Sequence, residues 1–150
     1  MRIFFPFLLM MLFLAGCAIS SNSVDMNDCP FDMYLTNKNE KVTLEKGHYE
    51  CRFGNYVEMT DVLGPTQIAE QIDPIKVQGE TEVQFETDGS PELKVLLLES
   101  ENKSERVSLK NENTLVLPKE SNEYIYQIKA TWGKSLVTYV LLVDIVNEKE

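Results

Sequence analysis

The sequence predicts a mainly β domain built as one two-sheet sandwich, and three observations carry that expectation. From about Cys29 onward the apolar residues recur at every second position, the period of half-buried strands rather than of helices. Turn-forming residues interrupt the chain about every 8–12 positions, too often for long helices. The last third holds two long β-branched and aromatic segments joined by Gly133-Lys134, the form of a hairpin.

The N-terminus follows a different rule. Arg2 is the one charge before Asp25, and Ile3 to Ala15 is apolar throughout. A charged start, an apolar run and small residues before a break point predict an export signal. The run of about 13 residues is short of the roughly 20 that a membrane-crossing helix needs, and Pro6 weakens it further as a span. Leu14-Ala15-Gly16-Cys17 follows directly. These four residues resemble the lipobox of bacterial lipoproteins, with Leu at −3, small residues at −2 and −1, and Cys at +1. The resemblance implies cleavage between Gly16 and Cys17 and a diacylglyceryl thioether on Cys17, with palmitate-type acyl chains holding the protein on the extracytoplasmic side of the cell membrane. Two acyl chains suffice for a stable anchor where one is marginal.

The expected organisation is a signal peptide over 1–16, a lipidated Cys and tether over 17–28, and one domain over 29–147. Loss of residues 1–16 leaves 134 of 150 residues and moves the formal charge from −10 to −11, because Arg2 leaves with them. That is enough chain for one core. An acidic domain without a basic patch argues against nucleic acid, which is bound by neutralising phosphates. Ala18 to Asn27 is small and polar and reads as a tether reaching roughly 15–20 Å. After Asn147 only Glu-Lys-Glu follows, which predicts neither a sorting signal nor a second anchor.

Within the domain, Phe31–Leu35 and Val42–Leu44 are expected strands around a turn at 37–39. Tyr49, Cys51 and Phe53 alternate with Glu50 and Arg52, and Gly54-Asn55 turns the chain into Tyr56–Met59 as a type II′ hairpin. Pro65–Ile72 breaks the pattern. Gly64-Pro65 opens it, Pro74 closes it, and Ile68, Ala69 and Ile72 share a face, predicting one short helix that plugs a side of the sandwich. Glu82–Glu86 is a half-buried strand, Asp88–Pro91 a turn, and Leu93–Leu98 a more central strand. Glu99–Arg106 reads as a polar loop, followed by strands at Val107–Leu109 and Leu115–Leu117. Tyr124, Tyr126, Ile128, Ala130 and Trp132 form one row of the next strand, and Ser135–Val146 is the long last one. Eight or nine such strands in one domain match an immunoglobulin-like or fibronectin-III-like sandwich.

Cys29 and Cys51 are an even pair in a chain read as exported, which predicts a disulfide. Two free thiols are the alternative. Their spacing is shorter than that of the inter-sheet bridge of antibody domains, so the likeness to those is architectural. The lipobox, the Gly47-His48-Tyr49 turn into a strand, and the run from Tyr124 to Trp132-Gly133 resemble small lipoproteins of Bacillus-type bacteria. That resemblance implies a fold and an address, and no activity.

Few residues suggest chemistry. His48 is the one histidine, beside Gly47, and reads as a solvated turn residue. No nucleophile elbow or phosphate-binding loop is present. Asp25, Asp28 and Asp32 lack the spacing of a calcium loop. The pairs Glu80/Glu82 and Glu99/Glu101 read as charges that guard strand edges. Tyr124, Tyr126, Trp132 and Tyr139 form a binding face wherever they are exposed, although one row must be core. Asp144 interrupts an apolar strand, as an outer-face residue or a buried paired one. The expected function is a non-enzymatic module binding another envelope or extracellular protein, with no metal or cofactor. The alternatives are an accessory lipoprotein for a small ligand or cation, and an envelope hydrolase resting on His48 or a carboxylate pair.

Overall fold

A computed structural model describes Cys29 and residues 31–38, 40–60 and 63–147. Along the chain these form β1 (Met33–Asn37), β2 (Glu40–Thr43), β3 (Glu45–Phe53), β4 (Tyr56–Thr60), α1 (Pro65–Ala69), β5 (Ile75–Val77), β6 (Glu82–Thr87), β7 (Glu92–Ser100), β8 (Lys103–Val107), β9 (Thr114–Val116), β10 (Glu123–Trp132) and β11 (Ser135–Ile145). A four-stranded sheet runs β2-β1-β6-β9, and a larger one runs β4-β3-β11-β10-β7-β8 with β5 also paired to β11. The two sheets form the expected sandwich.

Alternation decides which residues meet between the sheets. Met33, Leu35, Val83, Phe85 and Leu115 face inward from the small sheet. Cys51, Val95, Tyr126, Ile128, Ala130, Val137, Tyr139 and Leu141 answer them from the large one. β11 is central and buried along most of its length. Its Val137, Tyr139, Leu141, Val143 and Ile145 row enters the main core. The opposite row points outward, where Val140 and Leu142 need a second cover.

That cover is α1. Pro65 presets the first helical turn, and the Gly64 N–H donates to Gln67 Oε1 at 3.1 Å. Ile68 and Ala69 then pack on Val140 and Leu142, with Ile72 and Ile125 alongside. The helix stops at Ala69, short of the expected Ile72, and it lies on the outer face of the large sheet as a third layer.

The strand that crosses between sheets explains how the layers join. β2 pairs in the small sheet and β3 in the large one, so the chain changes sheets at Leu44, which is buried. Further on, Gly47 and His48 stand opposite the single residue Thr138, a β-bulge in the β3–β11 ladder. The Gly-His pair is therefore inside a strand and not at a turn. Gly47 is there because the helix side is crowded: a Cβ would sit 2.7 Å from Thr138 Oγ1 and 3.7 Å from Ile68 Cδ1.

Three further expectations change. Ile75–Val77, which the alternation does not mark, is a strand parallel to β11. Glu99–Arg106 is no loop: β7 runs to Ser100 and β8 returns from Lys103 as an edge strand. Leu93–Leu98 lies between β10 and β8, one strand in from that edge rather than at the centre. The Gly54 and Gly133 turns fall where expected, with φ of +60° and +58°.

Candidate binding surface

Leu14 to Cys17, the tether, Asp25 and Asp28 lie outside the described residues. Of the expected aromatic face, three members are core. Tyr126 and Tyr139 are at most 1 % exposed, and Trp132 is also buried. Tyr139 donates to the Phe31 carbonyl at 2.8 Å, Trp132 donates to the Asp88 carbonyl at 2.9 Å, and the Trp132 ring packs on Phe31. The polar tips of Tyr139 and Trp132 thus each have a backbone acceptor, which is what allows an amphipathic ring inside. Burial pushes the Tyr126 phenol up to about 12 and raises Tyr139 further. Tyr124 is half-buried and packs beside Tyr126. The three buried rings belong to the core rather than to an exposed face.

The other candidates are engaged at the surface. His48 is exposed and its Nδ1 lies 2.6 Å from the Thr60 carbonyl, so Nδ1 carries the proton and the ring ties β3 to β4. Glu82 pairs with Lys110, Glu99 with Lys103, and Asp32 with Lys46 at 2.6 Å. Asp144 is half-buried, in register with Glu123 on β10 and Lys76 on β5. Cys29 and Cys51 are bonded, with Cα atoms 6.1 Å apart. Despite its short spacing, the bridge joins the segment leading into β1 of the small sheet to β3 of the large one. Among the described residues no three His, Cys, Asp or Glu side chains gather as a metal site.

Two surfaces stand out among the described residues. The first is a groove of about 780 Å³ beside α1, lined by Glu45, Lys46, Leu63, Gln67, Gln71 and Ile72 among others. The second is the β4 edge. Register places Tyr56, Glu58 and Thr60 of β4 beside Phe53, Cys51 and Tyr49 of β3 on the inner face of the sheet. The small sheet does not cover this end. Tyr56 is 64 % exposed, with its ring centroid 6.3 Å from that of Phe53. Tyr49 donates its hydroxyl to Glu58 at 3.2 Å, and desolvation together with Glu58 holds that phenol above its usual range. On the outer face Met59 is 62 % exposed. The result is an edge strand with apolar side chains on both faces and one carboxylate at its middle.

The other edges are guarded. β2 carries Glu40 and Lys41, with Lys41 on Glu86 and over the Tyr34 ring. β8 carries Lys103, Glu105 and Arg106, and β9 is three residues long. Charge and shortness are the usual protections against strand pairing, and β4 has the least of both for its length. Sequence reasoning identified β4 as a strand but not as a site, because alternation does not reveal where the opposite sheet ends. Comparison with protein-family models, curated proteins and solved structures returned no match.

Proposed function

We propose that this protein is a lipid-anchored extracytoplasmic lipoprotein whose sandwich acts as a non-enzymatic module for binding another envelope or extracellular protein. The observation that supports it is the β4 edge, where Tyr56 and Met59 stand exposed on opposite faces of a strand whose second side is unpaired among the described residues. An uncovered apolar edge on a rigid domain is a common ground for protein recognition. The anchoring half rests on Leu14-Ala15-Gly16-Cys17 behind the apolar run. Holding the domain near the membrane limits its search to neighbouring partners.

One experiment tests both halves. The full chain is expressed in a bacterial host with a photo-crosslinking residue at Tyr56, at Met59, or at Val116 on the β9 edge as a control. Palmitate labelling is expected for the wild-type chain and is lost in Cys17→Ala. One recurrent partner is expected at positions 56 and 59 and not at 116. Equal yields at all three positions, or none at any, would remove the interaction reading.

A second reading has its own observation. The groove beside α1 is large enough for a small ligand and offers the Gln71 amide and Glu45 carboxylate above the apolar Leu63 and Ile72. Screening of small molecules, read out at Ile68 and Ile72 methyl resonances, decides it.

A further inference from the structure

We infer that the β4 edge takes an extended segment of the partner by strand addition, and that this segment alternates basic with apolar residues. The inference rests on the interaction reading above and names the chemistry of the partner. It follows from which atoms β4 leaves free and which side chains flank them.

β4 pairs with β3 along one side through all five of its residues, and among the described residues no strand pairs with its other side. A strand added on that side would lie about 4.8 Å away and satisfy the outward backbone groups of β4. Side chains of an added strand fall on two faces with period two. On the inner face they meet Tyr56 and Glu58, an open aromatic ring and a carboxylate whose neighbours on that face are uncharged: Tyr49, Phe53 and Thr60. A Lys or Arg there stands beside a carboxylate at ordinary cross-strand distance and can lie against the Tyr56 ring. On the outer face the incoming side chains meet Val57 and Met59, which favour apolar residues. Recognition of the basic row is reinforced at long range by the formal charge of −10 over the chain.

A second copy of this chain is a poorer occupant. β4 against β4 about a two-fold axis at its centre sets Glu58 opposite Glu58, and like charges directly opposite destabilise a pair.

The test uses the full chain held in a non-ionic detergent, and a synthetic six-residue peptide of alternating Lys and Val as the probe. A peptide with Glu in place of Lys is the control. Expected are binding of the Lys peptide that weakens as salt rises, slowed amide exchange confined to β4, and no binding of the Glu peptide. Glu58→Lys sits on an exposed position and should fold as the parent does. It is expected to weaken the Lys peptide by about tenfold and to admit the Glu peptide. The inference is overturned if the Lys peptide fails to bind, if it binds with protection outside β4, if Glu58→Lys leaves its affinity unchanged, or if the chain pairs with itself through β4. Crosslinking from Tyr56 to a partner segment that is neither extended nor basic also overturns it while leaving the interaction reading standing. Absence of any partner at Tyr56 and Met59 removes both.

Discussion

Gly47 shows how one residue connects the layers. Its φ is not in the left-handed region, so conformational freedom is not the reason for it. The reason is distance, because Thr138 Oγ1 fills the space where a Cβ would go and is itself held, donating to the His48 carbonyl at 2.9 Å. Gly47→Ala is expected to destabilise the domain by about 1–3 kcal/mol, as overpacking in a filled site does. Combining it with Thr138→Ala should recover part of that loss, because the obstructing hydroxyl is gone. Urea unfolding of the two single variants and the double one checks this, and strict additivity would count against the steric account. The buried tyrosines give a second prediction at this scale. Folding lifts the Tyr126 phenol from an unfolded value of about 10 to about 12, first through burial and then through Tyr124. A raised acid means that the folded state prefers the neutral phenol. The associated stability is complete below about pH 10 and is lost as the pH rises from about 10 to 12. Tyr139 acts in the same direction. Absorbance titration of the six tyrosines should show two that ionise only as the fold is lost. Smooth titration of all six before unfolding would contradict it.

At the scale of elements, α1 separates packing from capping. A five-residue helix is far too short to persist alone in water. Its stability must come from Ile68 and Ala69 covering Val140 and Leu142. Ile68→Ala is expected to cost about 2–4 kcal/mol, and Gln67→Ala, which removes the contact to the Gly64 N–H, about 1 kcal/mol or less. Chemical denaturation of both variants tests the ranking, and a larger cost at Gln67 would reverse it. The same scale shows what the sequence could reveal. β10 and β11 were legible because ten or more residues alternate on each side of a glycine turn. β8 was not, because an edge strand made of Lys103, Ser104, Glu105 and Arg106 carries no apolar row. β5 was hidden by its length, since three residues hold too little of a period to count. The aromatic row of β10 and β11 was legible as a row, but alternation is symmetric between its two faces. Only the partner acceptors on Phe31 and Asp88 show that those rings point inward. The β4 surface was illegible for a related reason: Tyr56 and Phe53 read alike in sequence, and their difference is how far the smaller sheet extends.

For the whole molecule, the decisive join lies in the few residues before β1. Cys29 is bonded to β3, the Phe31 ring packs on Trp132 with centroids 4.6 Å apart, and the Phe31 carbonyl accepts from Tyr139. One short segment thus fastens itself to β3, β10 and β11 of the large sheet just before the chain enters the small one. Of these three ties the disulfide is the one that also acts on the unfolded chain. Closing a loop between residues separated by 22 positions contributes about 3 kcal/mol in the chain-entropy argument. The other two ties and the shared core remain when it is cut, so the reduced protein should keep its fold at a lower melting temperature. The expected fall is roughly 10–15 °C for a domain of this size. Trp132, the one tryptophan, sits at the joint and reports it directly. Its fluorescence should follow the thermal transition with and without a reductant, and Cys29→Ser with Cys51→Ala should match the reduced wild type. An unchanged melting temperature would show that Phe31 and the two aromatic acceptor bonds hold the sheets together without the bridge. Loss of the cooperative transition would show the opposite, that the sandwich cannot close unless Cys29 is bonded to Cys51.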